Sequence, residues 1–203
     1  MSKRMLTILL GLSVGVLAIS AGLLLRVVWD GRSGAGTGSL ATSVEFGAPF
    51  SLIDHTGAEI TQAAFEGQPS LLFFGFTHCP EICPTTVYDM ETWFQELGPV
   101  ASEVEAFFVT VDPERDTAEF LSDYLTAQSD RVTGITGTPE DVWAMARSWR
   151  VYWQKRPLGD GDYTLDHFAS IYVLDANGKL FEKISYGEDA ASAKAKIMAA
   201  VNS

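Results

Sequence analysis

Cysteine is almost missing from this chain: Cys79 and Cys83 are the only two among 203 residues. Two thiols separated by three residues cannot frame a fold held by disulfides. A bond between them would close too small a loop to restrict the unfolded chain much. Metal binding or redox exchange is the expected role, with ordinary burial as the plain alternative. Histidine is nearly as scarce, with His55, His78 and His167. Positive charge is in short supply as well, because 14 Lys and Arg face 26 Asp and Glu for a formal net charge of −12. That balance argues against a nucleic-acid partner, since phosphate recognition needs clustered Lys and Arg. An acidic surface keeps copies apart and is able to dock a basic protein. Acidic residues are absent before Asp30, and no charge of either sign interrupts Met5 to Leu25. No internal repeat is visible.

The uncharged run follows Lys3 and Arg4. At ~1.5 Å rise per residue it spans roughly 30 Å, the thickness of a bilayer's hydrocarbon core. A cleaved signal peptide would have a shorter apolar region of about 7–15 residues and a small-x-small site beyond it. Ala18-Ile19-Ser20 is a poor candidate and lies inside the run. Residues 1–28 are therefore expected to be an uncleaved, single-pass transmembrane helix. The basic residues before it place the bulk of the chain on the outer side. No cysteine follows for lipid attachment, and no long Arg- and Ser-rich presequence precedes it. The expected location is a bacterial inner membrane with the C-terminal domain in the periplasm. Residues 29–43 read as a Gly- and Ser-rich linker, and 44–203 as one globular domain.

Within that domain strands and helices alternate. Phe50–Ile53 and Glu59–Ile60 flank a turn signal at 54–57 and predict a hairpin. Leu71–Phe76 is an unbroken apolar run suited to a strand buried on both faces. Pro84–Leu97 carries Val87, Met90, Phe94 and Leu97 at helical spacing and stops at Gly98-Pro99. Ala106–Val111 predicts a second buried strand. Asp116-x-x-Glu119 resembles a capping box for a helix over Thr117–Ala127. A short strand at Arg131–Ile135 and a helix at Glu140–Arg150, led by Thr138-Pro139, follow. Pro157–Asp162 reads as a loop. Phe168–Leu174 and Leu180–Ser185 form a hairpin around Asp175-Ala-Asn-Gly178, and a last helix runs from about Asp189 to Val201. This order predicts a thioredoxin-like α/β three-layer sandwich on a mixed β-sheet.

The cysteines lie at the junction of the first buried strand and the first helix. Each precedes a proline, in Cys79-Pro80 and Cys83-Pro84. A residue before proline avoids the helical region. The helix is thus expected to begin at Pro84, with Cys83 near its N-cap and Cys79 at the strand end. Free N–H groups and the helix dipole then point at the thiols and lower their pKa. Two sulfurs leave most metals short of ligands. His55 reads as a solvated turn residue. His78 adjoins Cys79, and neighbours in an extended segment point to opposite faces. His167 precedes a predicted strand, with Asp166 beside it as a potential holder of its tautomer.

Three stretches together resemble the Sco/SenC family of copper proteins that help assemble cytochrome c oxidase. They are Gly75-Phe-Thr-His-Cys-Pro-Glu-Ile-Cys-Pro84, Val111-Asp-Pro-Glu-Arg-Asp-Thr117 and Asp166-His167, in family order and at family-like separations. The resemblance implies that Cys79, Cys83 and His167 bind one copper, as Cu(I) or Cu(II), and that His78 belongs to the motif without being a ligand. Asp112, Arg115 and Asp116 match the family's acidic loop, which reads either as a turn and N-cap or as a group near the metal or a partner. Many members have Ser or Thr after the ligand histidine, whereas this chain has Phe168. The partners implied are the copper-bearing subunit of cytochrome c oxidase, a periplasmic copper donor and a thioredoxin-like reductant. The donor set agrees with this, because two thiolates are soft and select Cu(I) while imidazole suits both oxidation states.

The rival reading is a thiol–disulfide oxidoreductase with Cys79 and Cys83 as its redox pair. The spacing is Cys-x-x-x-Cys rather than Cys-x-x-Cys. His167 also stands where such enzymes carry a proline. An envelope copper or redox sensor would use the same ligands. A peroxiredoxin would need an arginine near its cysteine, and none lies close to Cys79 in sequence. A classical enzyme is not expected unless thiol–disulfide reduction is counted. Trp143, Trp149 and Trp153 read as packing residues.

Overall fold

The computed structural model describes residues 46–203. The expected membrane helix at 1–28 and the linker at 29–43 lie outside the described residues, as do the first two residues of the expected domain. Among the described residues no helix is long and apolar enough to cross a membrane.

The domain opens with the hairpin of β1 (Ser51–Asp54) and β2 (Glu59–Thr61). Strand β3 (Ser70–Gly75) leads into helix α1 (Ile82–Leu97), then β4 (Glu105–Thr110), α2 (Ala118–Thr126) and β5 (Val132–Thr136). Helix α3 (Pro139–Ser148) is followed by β6 (Trp153–Gly159) and β7 (Asp162–His167). Strands β8 (Ile171–Leu174) and β9 (Leu180–Ile184) and helix α4 (Ala190–Val201) close the chain. Seven strands form one sheet in the order β2-β1-β5-β4-β3-β8-β9. β3–β4 and β4–β5 pair in parallel and the other neighbours antiparallel, so the sheet is mixed. This is the expected thioredoxin-like α/β architecture.

All six residues of β3 are buried, as its apolar run required. Alternation sends them to two different layers. Phe73 meets Phe108, which meets Tyr124 of α2, with ring centroids 5.7 and 5.8 Å apart. Phe74 meets Tyr172, which meets Trp149 beyond the end of α3, at 5.9 and 5.6 Å. Gly75 ends β3 where a Cβ would fall 2.8 Å from the Phe73 ring and 2.9 Å from that of Phe108. Only glycine allows so close an approach of backbone to rings.

Several boundaries depart from expectation. Helix α1 begins at Ile82 rather than Pro84, so Cys83 lies inside its first turn instead of near the N-cap. Proline is tolerated there because the first N–H groups of a helix have no intrahelical partner. Helix α2 is capped by Thr117, whose Oγ1 accepts from Phe120 N–H at 3.2 Å. Asp116, expected in a capping box, is turned into the interior instead. The expected loop at 157–162 is the tip of a two-stranded ribbon, β6 and β7, separate from the main sheet. The strand expected from Phe168 starts at Ile171, and His167 is the last residue of β7.

Candidate metal centre

The end of β3 and the start of α1 hold the cysteines. Cys79 is nearly buried and Cys83 fully so, and they form no disulfide. The N-cap residue Glu81 offers no side-chain bond to the helix. The Cys79 sulfur fills that role, accepting from Cys83 N–H at 3.3 Å. An orphan donor of the first turn is thereby satisfied by sulfur, and the positive end of the helix faces it. Cys79 is driven down to about 4, mainly by the hydrogen bond from the Cys83 thiol, helped by the N–H groups of Cys83 and Glu81 against the effect of burial. Cys83 moves the other way: burial and the neighbouring Cys79 charge keep it protonated. The opposite shifts leave one proton and one negative charge on the pair at neutral pH.

The ribbon delivers the third group. His167 Nε2 lies 3.3 Å from Cys83 Sγ, although the residues are 84 apart in sequence. The ligand atoms of Cys79, Cys83 and His167 all lie within 4.8 Å of one another, close enough to share one metal ion. The other ring nitrogen of His167, Nδ1, is 3.0 Å from the Phe168 carbonyl oxygen. A carbonyl only accepts, so Nδ1 carries the proton and Nε2 presents its lone pair to the sulfurs. Asp166 does not hold this tautomer as expected. It sits on the opposite side of β7 and pairs with Arg156. Phe73 and Phe76 stand edge-on to the imidazole, at 6.1 and 5.6 Å between centroids.

The remaining histidines are elsewhere. His55 Nδ1 accepts from Gly134 N–H at 2.9 Å and braces the β1–β5 edge. His78 is 40% exposed and stacks on Phe120 at 5.3 Å, away from the sulfurs' shared space. Thr77 gives its hydroxyl proton to Asp116, so His78 Nδ1 is the donor in its 3.0 Å contact with Thr77 Oγ1.

The turn after β4 carries more than a cap. Asp116 is fully buried and accepts from Thr77 N–H at 3.0 Å, Thr77 Oγ1 at 2.6 Å and Thr110 Oγ1 at 2.6 Å. Burial holds its carboxyl above the usual carboxylate range, and these donors offset only part of that. The bonds fix the turn that delivers Cys79. Asp112 accepts from Arg115 Nε at 2.6 Å and from the Tyr163 hydroxyl at 2.7 Å. Burial and that carboxylate hold the Tyr163 phenol protonated. Sequence reasoning singled out Asp112, Arg115 and Asp116 but missed Tyr163, Thr77 and Thr110. The alternation of Tyr163, Leu165 and His167 was the available signal for Tyr163.

The family profile described as SCO1/SenC matches residues 39–202. The mitochondrial human protein named SCO1 homolog is 37% identical over 139 residues, 67% of this chain and 46% of its own length. The chain spans about half the length of the curated relatives it matches. Among solved structures, Bradyrhizobium japonicum ScoI with copper bound is 37% identical with a TM-score of 0.71, covering 76% of this chain and 99% of that one. Yeast Sco1 with copper bound is 31% identical with a TM-score of 0.72, covering 78% and 90%.

Proposed function

The chain belongs to the SCO1/SenC family, and from that premise we propose that it is a membrane-anchored copper metallochaperone. It binds one copper through Cys79, Cys83 and His167 and helps assemble the copper site of a respiratory cytochrome c oxidase. The convergence of two sulfurs and one imidazole nitrogen within 4.8 Å is the observation that carries this reading. Two relatives of the same fold, at 37% and 31% identity, are described with copper bound.

The donor chemistry supports Cu(I) as the main cargo, because thiolate sulfur is soft. Cys79 is already a thiolate at neutral pH, so loading removes a single proton from the cysteine pair, the one on Cys83. The Phe168 carbonyl keeps the lone pair of His167 Nε2 turned toward the sulfurs. Three ligands leave the metal open to an incoming thiolate of the acceptor, so transfer proceeds by ligand exchange. The apolar run from Met5 to Leu25 supports an anchor in a bacterial inner membrane, with the domain in the periplasm beside the oxidase subunit that receives the copper. A periplasmic donor would load the site, and a thioredoxin-like reductant would return an oxidised cysteine pair to thiols.

Copper stoichiometry on the reduced chain is the test. One copper per chain, lost or sharply weakened in Cys83→Ser and His167→Ala, is the expected result. Binding unchanged by His167→Ala would move the third ligand elsewhere and undo the assignment. Thiol–disulfide reduction of the acceptor is the second reading, favoured by the low-pKa thiolate of Cys79 beside a protonated Cys83. No copper bound, with rapid cycling against a disulfide substrate, would hand the site to that activity.

A further inference from the structure

The two halves of the site stand on different supports. Cys79 and Cys83 belong to the main sheet and its first helix. His167 belongs to the β6–β7 ribbon, which pairs with no strand of that sheet. Something must set the distance between them. One turn, Asp112 to Asp116, touches both. Its Asp116 end binds the Thr77 backbone and hydroxyl just before Cys79. Its Asp112–Arg115 end grips the ribbon at Tyr163. Arg115 Nη1 donates to the Tyr163 carbonyl at 3.0 Å and to Asp162 Oδ1 at 3.2 Å. The guanidinium lies 3.7 Å over the Tyr163 ring, and the Tyr163 hydroxyl closes back onto Asp112 at 2.7 Å. Lys155 on the facing strand pairs with Glu114 of the same turn. Arg115 leaves its Nη2 buried with no acceptor among the described residues, an arrangement that spends stability on this contact.

Tyr163, Leu165 and His167 share one face of β7, because strand side chains alternate. Leu165 between them is buried. Four residues at ~3.3 Å each put the bracket about 13 Å along the strand from His167. A tilt of the ribbon by roughly 5° about that bracket moves the imidazole about 1 Å, enough to loosen a site that needs its ligands placed to within about half that.

We infer that Asp112, Arg115 and Tyr163 form a bracket that positions His167 against the two cysteines, so that these residues, which do not themselves reach the metal, set its affinity. The inference rests on the copper-site reading. Arginine is needed for it, since only a planar fork serves Asp112, the Tyr163 carbonyl and the Tyr163 ring at once.

The experiment is a double-mutant cycle on the full chain, reduced, with Cu(I) affinity measured by competition against bathocuproine disulfonate. Arg115→Met is expected to weaken binding about tenfold, the lower end of what loss of a ligand's supporting contact does. Arg115→Lys is expected to weaken it as much, because charge without the fork does not restore the contacts. In a His167→Ala background Arg115→Met is expected to change nothing further. Tyr163→Phe, which deletes only the hydroxyl's bonds to Asp112 and Glu114 of the same turn, enters the same cycle in case Arg115→Met fails to fold. In the metal-free chain, nitrogen-15 shifts of His167 are expected to show one Nδ1–H tautomer in wild type and a mixture in the Arg115 variants. Unchanged affinity and tautomer, or an equal loss of affinity with and without His167, would overturn the bracket. Should the wild-type chain bind no copper, the copper reading fails, and the tautomer comparison still decides whether Arg115 positions His167.

Discussion

The charge on Cys79 is the most exposed consequence of the site's geometry. An ordinary thiol near 8.5 is about 0.3% ionised at pH 6 and about 24% at pH 8, a rise of roughly 80-fold. Cys79 is held down to about 4, first by the Cys83 thiol, then by the N–H groups of Cys83 and Glu81. A depressed value means that the thiolate persists until the pH falls toward that value, so Cys79 stays ionised across the whole of pH 6 to 8. Cys83 stays protonated over the same range. Thiolate absorbance at 240 nm in the reduced, metal-free chain should therefore show close to one thiolate per chain, flat from pH 6 to 8, with a single acid-side step. Cys83→Ala removes both the S–H and the second sulfur's share of the network, so the step should move up by at least one unit. Two thiols rising together near pH 8 to 9 would refute the reasoning, because neither the helix N-terminus nor the S–H···S bond would then be shaping the pair.

Other expectations are independent of this one. Asp116→Ala strands Thr77 N–H and two hydroxyls in the interior, at about 1–3 kcal/mol for each donor that finds no water. Urea unfolding should show a loss of at least about 3 kcal/mol. Gly75→Ala forces a Cβ against the Phe73 and Phe108 rings and should lower stability by about 1–3 kcal/mol on the same assay. Tyr172→Phe deletes only the 2.9 Å bond to the Trp149 carbonyl. It should lower stability by about 1 kcal/mol and leave copper stoichiometry unchanged, since that bond lies in the layer away from the site.

Much of this molecule was legible in its residues, and the exceptions have specific causes. The apolar run at 71–76 read as a doubly buried strand because no polar side chain interrupts it, and it is one. The Asp175–Gly178 turn read as a hairpin from its Asp, Asn and Gly between two apolar runs, and Gly178 takes the left-handed φ of 70° such a turn needs. The β6–β7 ribbon was missed because its first strand is largely exposed and has no apolar alternation. Its tip relies on Asp160 at φ 52° and Gly161 at φ 84°, a turn whose composition resembles any loop. Cys83 was placed outside the helix by the rule for residues before proline. At a helix N-terminus that preference gave way, with the Cys79 sulfur accepting the Cys83 N–H. The meeting of His167 with the cysteines followed from the expected fold and the family resemblance, since a separation of 84 residues by itself carries no distance.

Trp153 stands directly across the ribbon from His167, and its indole stacks on Trp143 of α3 at 6.4 Å with 24° between planes. One indole rides on the ribbon and the other on the helical layer, and Trp143 is tethered by its Nε1–H to the Val111 carbonyl. Two transition dipoles at that separation couple, and the coupling depends steeply on their distance and angle. The chain therefore carries its own optical gauge of histidine placement: the near-ultraviolet circular dichroism of this indole pair reports the ribbon's seating without any label, in the metal-free and the loaded protein alike.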